Sequence, residues 1–171
     1  ASMNQKIIVL VMSLLITGLA FGQVDSRIDD TVGHMRDIIQ TPNRTVDEVH
    51  NGIIDWINRN YTKPTEVIMV DRPDYIRLRE HVNLPGVGTE TVDCYAQTEW
   101  EIKDGRVRLT MNQYDCKSQY ANFNALVGMR NKKGKVKFGY SAHHDWVLQS
   151  FDGKVSGIKA IGKEVPKEDD W

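Results

Sequence analysis

The sequence predicts an α+β fold: one antiparallel β-sheet with helices packed on a single face, behind an N-terminal export signal. Three observations carry this. Thr45-Val46-Asp47-Glu48 is a capping box, in which the Thr hydroxyl serves a backbone N–H three residues on and the Glu reaches back. Beyond Pro64 the apolar period shortens from about 3.6 residues to about 2, which marks a change from helix to strand. Asp104-Gly105 then separates two long alternating segments, the strongest short-range hairpin signal there is.

The first segment is the export signal. Lys6 leads into an apolar run from Ile7 to Phe21, broken only by Ser13, Thr17 and Gly18, and ending in small residues of the kind a signal peptidase reads. The run is shorter than the roughly 20 residues a membrane-spanning helix requires. It also lacks the polar face of an amphipathic core helix. Residues 1–22 are therefore expected to be removed by cleavage between Gly22 and Gln23, with Ala1 and Ser2, ahead of Met3, set apart as either an addition to the natural start or the product of an upstream one. No cysteine follows the run where a lipoprotein anchor would need one. The mature chain is expected in the periplasm or secreted, with no stable transmembrane span once the signal is gone.

Residues 23–33 are polar and read as a flexible N-terminal segment. The domain proper is expected over 34–165, one core being what a chain of 171 residues with 40% hydrophobic and 26% charged residues supports. His34 to Gln40 reads as a short strand ending at Thr41-Pro42-Asn43. The Thr45-capped helix follows, with Val46, Val49, Ile53, Trp56 and Ile57 forming one apolar stripe to about Asn60, and Pro64 prevents its continuation. Val67 to Val70 reads as a strand. Ile76, Leu78 and Val82 then alternate with Tyr75, Arg77, Arg79 and His81.

In the hairpin, Cys94, Ala96, Thr98, Trp100 and Ile102 share a face and meet Val107, Leu109 and Met111 on return. Ile102 must lie on the same side as Val107, so the numbers in each cross-strand pair sum to 209. Glu101 then faces Arg108, Tyr95 faces Tyr114, and Cys94 faces Asp115. Cys94 and Cys116 are the only cysteines, and an even count in an exported chain permits a disulfide. In this register Cys116 points to the opposite side, so the bond requires either a bulge in the second strand or an end to that strand near Tyr114.

Residues 117–144 allow a second hairpin or a long ordered loop around Lys132-Lys133-Gly134. Residues 145–161 allow two readings. As a helix, Asp145 is the N-cap and Val147, Phe151, Val155 and Ile158 form a stripe; as a hairpin, Asp152-Gly153 is the turn. The helix is preferred, although Gly153 and Gly157 each weaken it by about 1 kcal/mol. Residues 166–171 read as an acidic, mobile tail.

The segment from Thr45 to Tyr114 resembles a known family. The runs that carry the likeness are Val49-His50-Asn51-Gly52-Ile53-Ile54-Asp55-Trp56-Ile57-Asn58-Arg59-Asn60-Tyr61 and Trp100-Glu101-Ile102-Lys103-Asp104-Gly105-Arg106-Val107-Arg108-Leu109. They are similar to the secreted domain of unknown function 4468 family of Bacteroidota, which has a TBP-like (TATA-binding-protein-like) fold. The resemblance covers about half of the mature chain. It implies a curved antiparallel β-sheet with two helices on one face, and it brings no catalytic residues. The stretch from Cys116 to His144 departs from the family pattern.

Charge and compartment both oppose a nucleic-acid partner. Residues 1–22 hold one Lys and no acid, so the formal charge moves from −1 for the whole chain to −2 for the remainder. Phosphate neutralisation needs a basic excess. Adjacent His143 and His144 on a strand would point to opposite faces, so a metal site would need a distant third ligand such as His81. The competing reading is a solvated loop with Asp145 capping a helix. Neither cysteine has a neighbouring base, and Gly86-Val87-Gly88 lacks the third glycine of a dinucleotide loop. No cofactor is expected.

The uncovered sheet face is the better candidate. It is expected to carry Tyr75, Arg77, Arg79, Tyr95, Glu101, Arg108 and Tyr114, and Tyr and Arg are enriched at recognition surfaces. The leading functional reading is a non-enzymatic binding module for a protein, peptide or envelope ligand. The alternative is a metal-dependent enzyme using His81, His143 and His144. An open sheet also offers its edge strands to a partner.

Overall fold

In the computed structural model, residues 27–29, 33–85, 91–117, 122–124, 131, 135–137 and 141–163 are described. The expected export signal, the 166–171 tail, Gly86-Val87-Gly88 and most of 118–140 lie outside them. The capping box is formed: Thr45 Oγ1 accepts from the Glu48 N–H at 3.3 Å, and Glu48 Oε2 accepts from the Thr45 N–H at 2.8 Å. Asp104, from the hairpin turn, accepts from the Val46 N–H at 3.2 Å, so the turn that closes the hairpin also caps this helix. Helix α1 (Val46–Asn60) buries Val49, Ile53 and Ile57. Pro64 does not lead straight into a strand. With its fixed φ it opens a single helical turn, α2 (Pro64–Val67), and the following strand starts one residue later than expected.

The strands are β1 (Ile28–Asp29), β2 (His34–Gln40), β3 (Ile68–Arg72), β4 (Tyr75–Pro85), β5 (Thr91–Lys103), β6 (Arg106–Lys117) and β7 (Asn122–Asn124). They form one antiparallel sheet in the order β1-β2-β6-β5-β4-β3, with β7 beside the far half of β6. Part of the 23–33 segment, expected to be flexible, is thus a sheet edge: Ile28 pairs with Met35 and is buried. Two residues suffice because one carries its apolar side chain into the core.

Period-two burial runs the length of β5, where Val92, Cys94, Ala96, Thr98, Trp100 and Ile102 all point inward. The pairs near the turn follow the expected register, with Ile102 opposite Val107 and Glu101 opposite Arg108. Farther along, the register shifts. Gln97 pairs with Asn112 but Tyr95 pairs with Asp115, so Ala96 stands against two residues of β6. This β-bulge reverses the parity of β6. Cys94 therefore lies opposite Cys116, with Cα atoms 4.1 Å apart, and the two form a buried disulfide.

The last long element is a helix, α3 (Ser141–Lys163), and the hairpin alternative fails. It begins before Asp145, which sits inside it and caps nothing. Val147, Phe151, Val155, Ile158 and Ile161 are buried at spacings of three and four, and burying such a side chain contributes about 1.5–3 kcal/mol. Five of them outweigh two glycines. Gly157 has a packing role, since a Cβ there would meet Trp56 Nε1 at 2.5 Å, whereas nothing lies within 4 Å of one at Gly153. Trp56 packs edge-on against both Trp100 and Tyr61, so it cannot easily retreat. Gly153→Ala is accordingly expected to stabilise the domain by about 0.5–1 kcal/mol, and Gly157→Ala to destabilise it by about 1–3 kcal/mol, both read from urea unfolding midpoints.

Candidate functional site

Helices α1 and α3 lie on one face of the sheet, where Trp56 meets Trp100 and Trp146 meets Tyr114. The other face carries no described helix. Its side chains form transverse rows across the strands. One row reads Tyr75, Glu101, Arg108, Ile38; the next reads Arg77, Glu99, Thr110, Arg36; beyond them come Arg79 with Gln97 and Asn112, and His81 with Tyr95 and Asp115. Arg108 makes two hydrogen bonds to Glu101, one of them 2.8 Å from Nε to Oε1, and this carboxylate pushes the guanidinium pKa up. Arg79 lies over the Tyr95 ring at 5.4 Å, and His81 stacks on the same ring at 4.6 Å. Arg72 lies over the Tyr75 ring at 5.1 Å. Burial, followed by nearby Glu99, pushes the Tyr75 phenol pKa up.

Six of the seven expected surface residues, Tyr75, Arg77, Arg79, Tyr95, Glu101 and Arg108, share this face. Tyr114 does not. The bulge turns it inward, where it is fully buried against Trp146 and donates to Met111 Sδ at 3.1 Å. His81 is also set apart from the adjacent pair His143 and His144. His81 lies on the open face near Asp93, whereas His143 is buried on the helix side, where burial pushes its imidazole pKa down; His144 faces Asp145 Oδ1 at 3.6 Å. Among the described residues no group of three or more His, Cys, Asp or Glu side chains could hold a metal. At the sheet edge, the Arg36 N–H donates to the carbonyl of Arg27, just before β1, and the Ile38 N–H on the same side is taken by Asp37 Oδ1 at 2.8 Å. An edge donor already bound to a carboxylate is protected against pairing with another strand.

Sequence reasoning missed a buried polar cluster under the sheet. Glu80 falls on the inward parity of β4 and accepts from Tyr61 Oη at 2.6 Å, Lys154 Nζ at 3.0 Å and Thr98 Oγ1 at 2.8 Å. Lys154, on α3, also donates to Ser150 Oγ at 2.8 Å. Burial pushes the Lys154 pKa down, while Glu80 opposes that shift. Beside Lys154, the crevice lined by Ile53, Trp56, Trp100 and Gly157 has no room for a molecule the size of water. The cluster is a lock between β4, β5, α3 and the end of α1. Its available signal was two opposite charges, each in phase with an apolar stripe on a different element.

The buried phenols make a measurable prediction. Burial and then Glu80 push the Tyr61 pKa far above its usual value of 10.0, and the same two causes, in the same order, raise that of Tyr114. The folded state therefore holds protons that the unfolded state releases above pH 10, so the stability these groups contribute is complete below that pH and is lost as pH rises. In an ultraviolet absorbance titration, both phenols are expected to ionise only together with loss of the circular dichroism signal. Ionisation of every tyrosine without unfolding would contradict this.

A sheet bearing two long helices on one face and no described helix on the other is the architecture of TBP-like proteins. Solved structures match this chain, among them the following two. A TBP-like protein from Parabacteroides distasonis superposes with a TM-score of 0.57 at 14% identity, the match covering 74% of this chain and 92% of that one. A DUF4468 family protein from Bacteroides ovatus gives a TM-score of 0.59 at 10% identity, over 85% of this chain and 92% of that one. The chain has the TBP-like fold of these proteins. No family model and no curated protein sequence matches it.

Proposed function

We propose that this protein is an exported, non-enzymatic binding module of a bacterial cell envelope that takes a protein, peptide or envelope ligand on its open sheet face. The carrying observation is that Arg77, Arg79, Tyr95 and Tyr75 stand on adjacent strands, β4 being paired with β5 along its whole length, with no described helix over them. Side chains on a rigid sheet lose little freedom on binding, and Tyr and Arg each combine contact area with directed hydrogen bonds. A buried disulfide supports an oxidising compartment, in keeping with the export signal read over residues 1–22. Fold alone gives no activity, and the TBP-like label is no argument for DNA binding.

Affinity capture from native envelope extract tests this, with immobilised wild type beside Arg77→Glu/Arg79→Glu and Tyr95→Ala. All of these side chains face away from the core, so thermal melting is expected to be unchanged in the variants while capture is lost. Equal capture by all three proteins would reject the sheet face as the binding surface.

A further inference from the structure

The corner of the open face where β2 meets the β5–β6 turn has a separate character. Ile38 is 56% exposed there and shares a groove of about 200 Å³ with Glu101, Lys103, Arg106 and Arg108. Arg36 lies two residues along β2 on the same face. Glu101 is already held by Arg108, and among the described residues Arg36, Lys103 and Arg106 form no ion pair. Lys103 stands directly opposite Arg106 across the hairpin. Like charges in a cross-strand pair destabilise a sheet, and an exposed isoleucine gives it nothing in return. Folding does not explain this arrangement.

We propose that this corner docks the domain on an anionic lipid membrane surface. Lys103, Arg106 and Arg36 meet the phosphate-bearing headgroups, and Ile38 enters the interface between them. The choice of occupant follows from the pairing of features. A free anion or a hydrated polyanion would neutralise the cations but leave Ile38 in water, whereas an anionic bilayer relieves the repulsion and buries the isoleucine together. The contact uses the same open face as the binding reading but different residues, so either can fail alone.

Vesicle co-sedimentation tests it, using phosphatidylcholine vesicles with and without about one-third phosphatidylglycerol. The wild type is expected to bind the anionic vesicles only, more weakly as salt is raised. Lys103→Glu/Arg106→Glu is expected to lower vesicle affinity by at least about tenfold. Lys103→Gln/Arg106→Gln is expected to fall between, and serves if the charge reversal fails to fold. Ile38→Asp is expected to weaken binding with unchanged melting. Arg77→Glu/Arg79→Glu is expected to keep vesicle binding even where it loses envelope capture, which separates the two proposals. Wild type that ignores charged vesicles, corner variants that bind like wild type, or binding of an acidic peptide without vesicle binding would each overturn the assignment.

Discussion

Lys154→Ala lowers the unfolding free energy by about 3–5 kcal/mol, because it leaves the Glu80 carboxylate inside the domain without its cation. Lys154 is 3% exposed and Glu80 8%, and the remaining Tyr61 and Thr98 donors cannot neutralise a full charge. The Lys154→Met/Glu80→Gln double variant is expected to lose less than the sum of its single changes, since the second removes the charge the first stranded. Urea unfolding of wild type, both single variants and the double variant measures this coupling. Additive losses would show that the pair is not a unit. A loss of under 1 kcal/mol for Lys154→Ala would show that water reaches Glu80.

The second large effect belongs to the cystines. Replacing Cys94 and Cys116 together by Ala is expected to cost about 3 kcal/mol, the loop-closure value for a sequence separation of 22. For a domain of this size that corresponds to a fall of roughly 6–12 °C in Tm. The measurement is calorimetry of the oxidised wild type beside the double variant. An unchanged Tm would mean that the strand pairing alone already restricts the unfolded chain.

Much of the fold was legible because its signals are local. The Thr45 box needs only four consecutive residues, and the Ile102–Val107 register needs only a turn and a parity rule. The stripe from Val147 to Ile158 was also visible, but it stood against two glycines, one of which owes its fitness to a contact elsewhere. Gly157 makes sense once Trp56 is seen to lie against it, and no window around Gly157 contains Trp56. Glu80 and Lys154 are 74 residues apart, and their attraction arises only after both elements have packed.

The candidate face was legible on β4 and β5, where alternation is unbroken. It was misread at Tyr114 for one reason: Met111, Tyr114 and Cys116 are spaced by three and then two, and that slip in phase is the trace of the bulge. The exposed corner at Ile38 was invisible to a search of β4 and β5 alone. It forms where β2, from the start of the domain, lies beside β6.

The irregularity in β6 also lets oxidation proof-read the assembly of the ribbon. If the two strands zip without the extra residue, Cys94 meets an aspartate and its sulfur finds no mate, while Tyr114 and Cys116 swing toward water. The covalent closure is thus available to one alignment and denied to its neighbour. A chain whose two sulfurs are joined to each other has, by that fact, its aromatic anchor on the correct side.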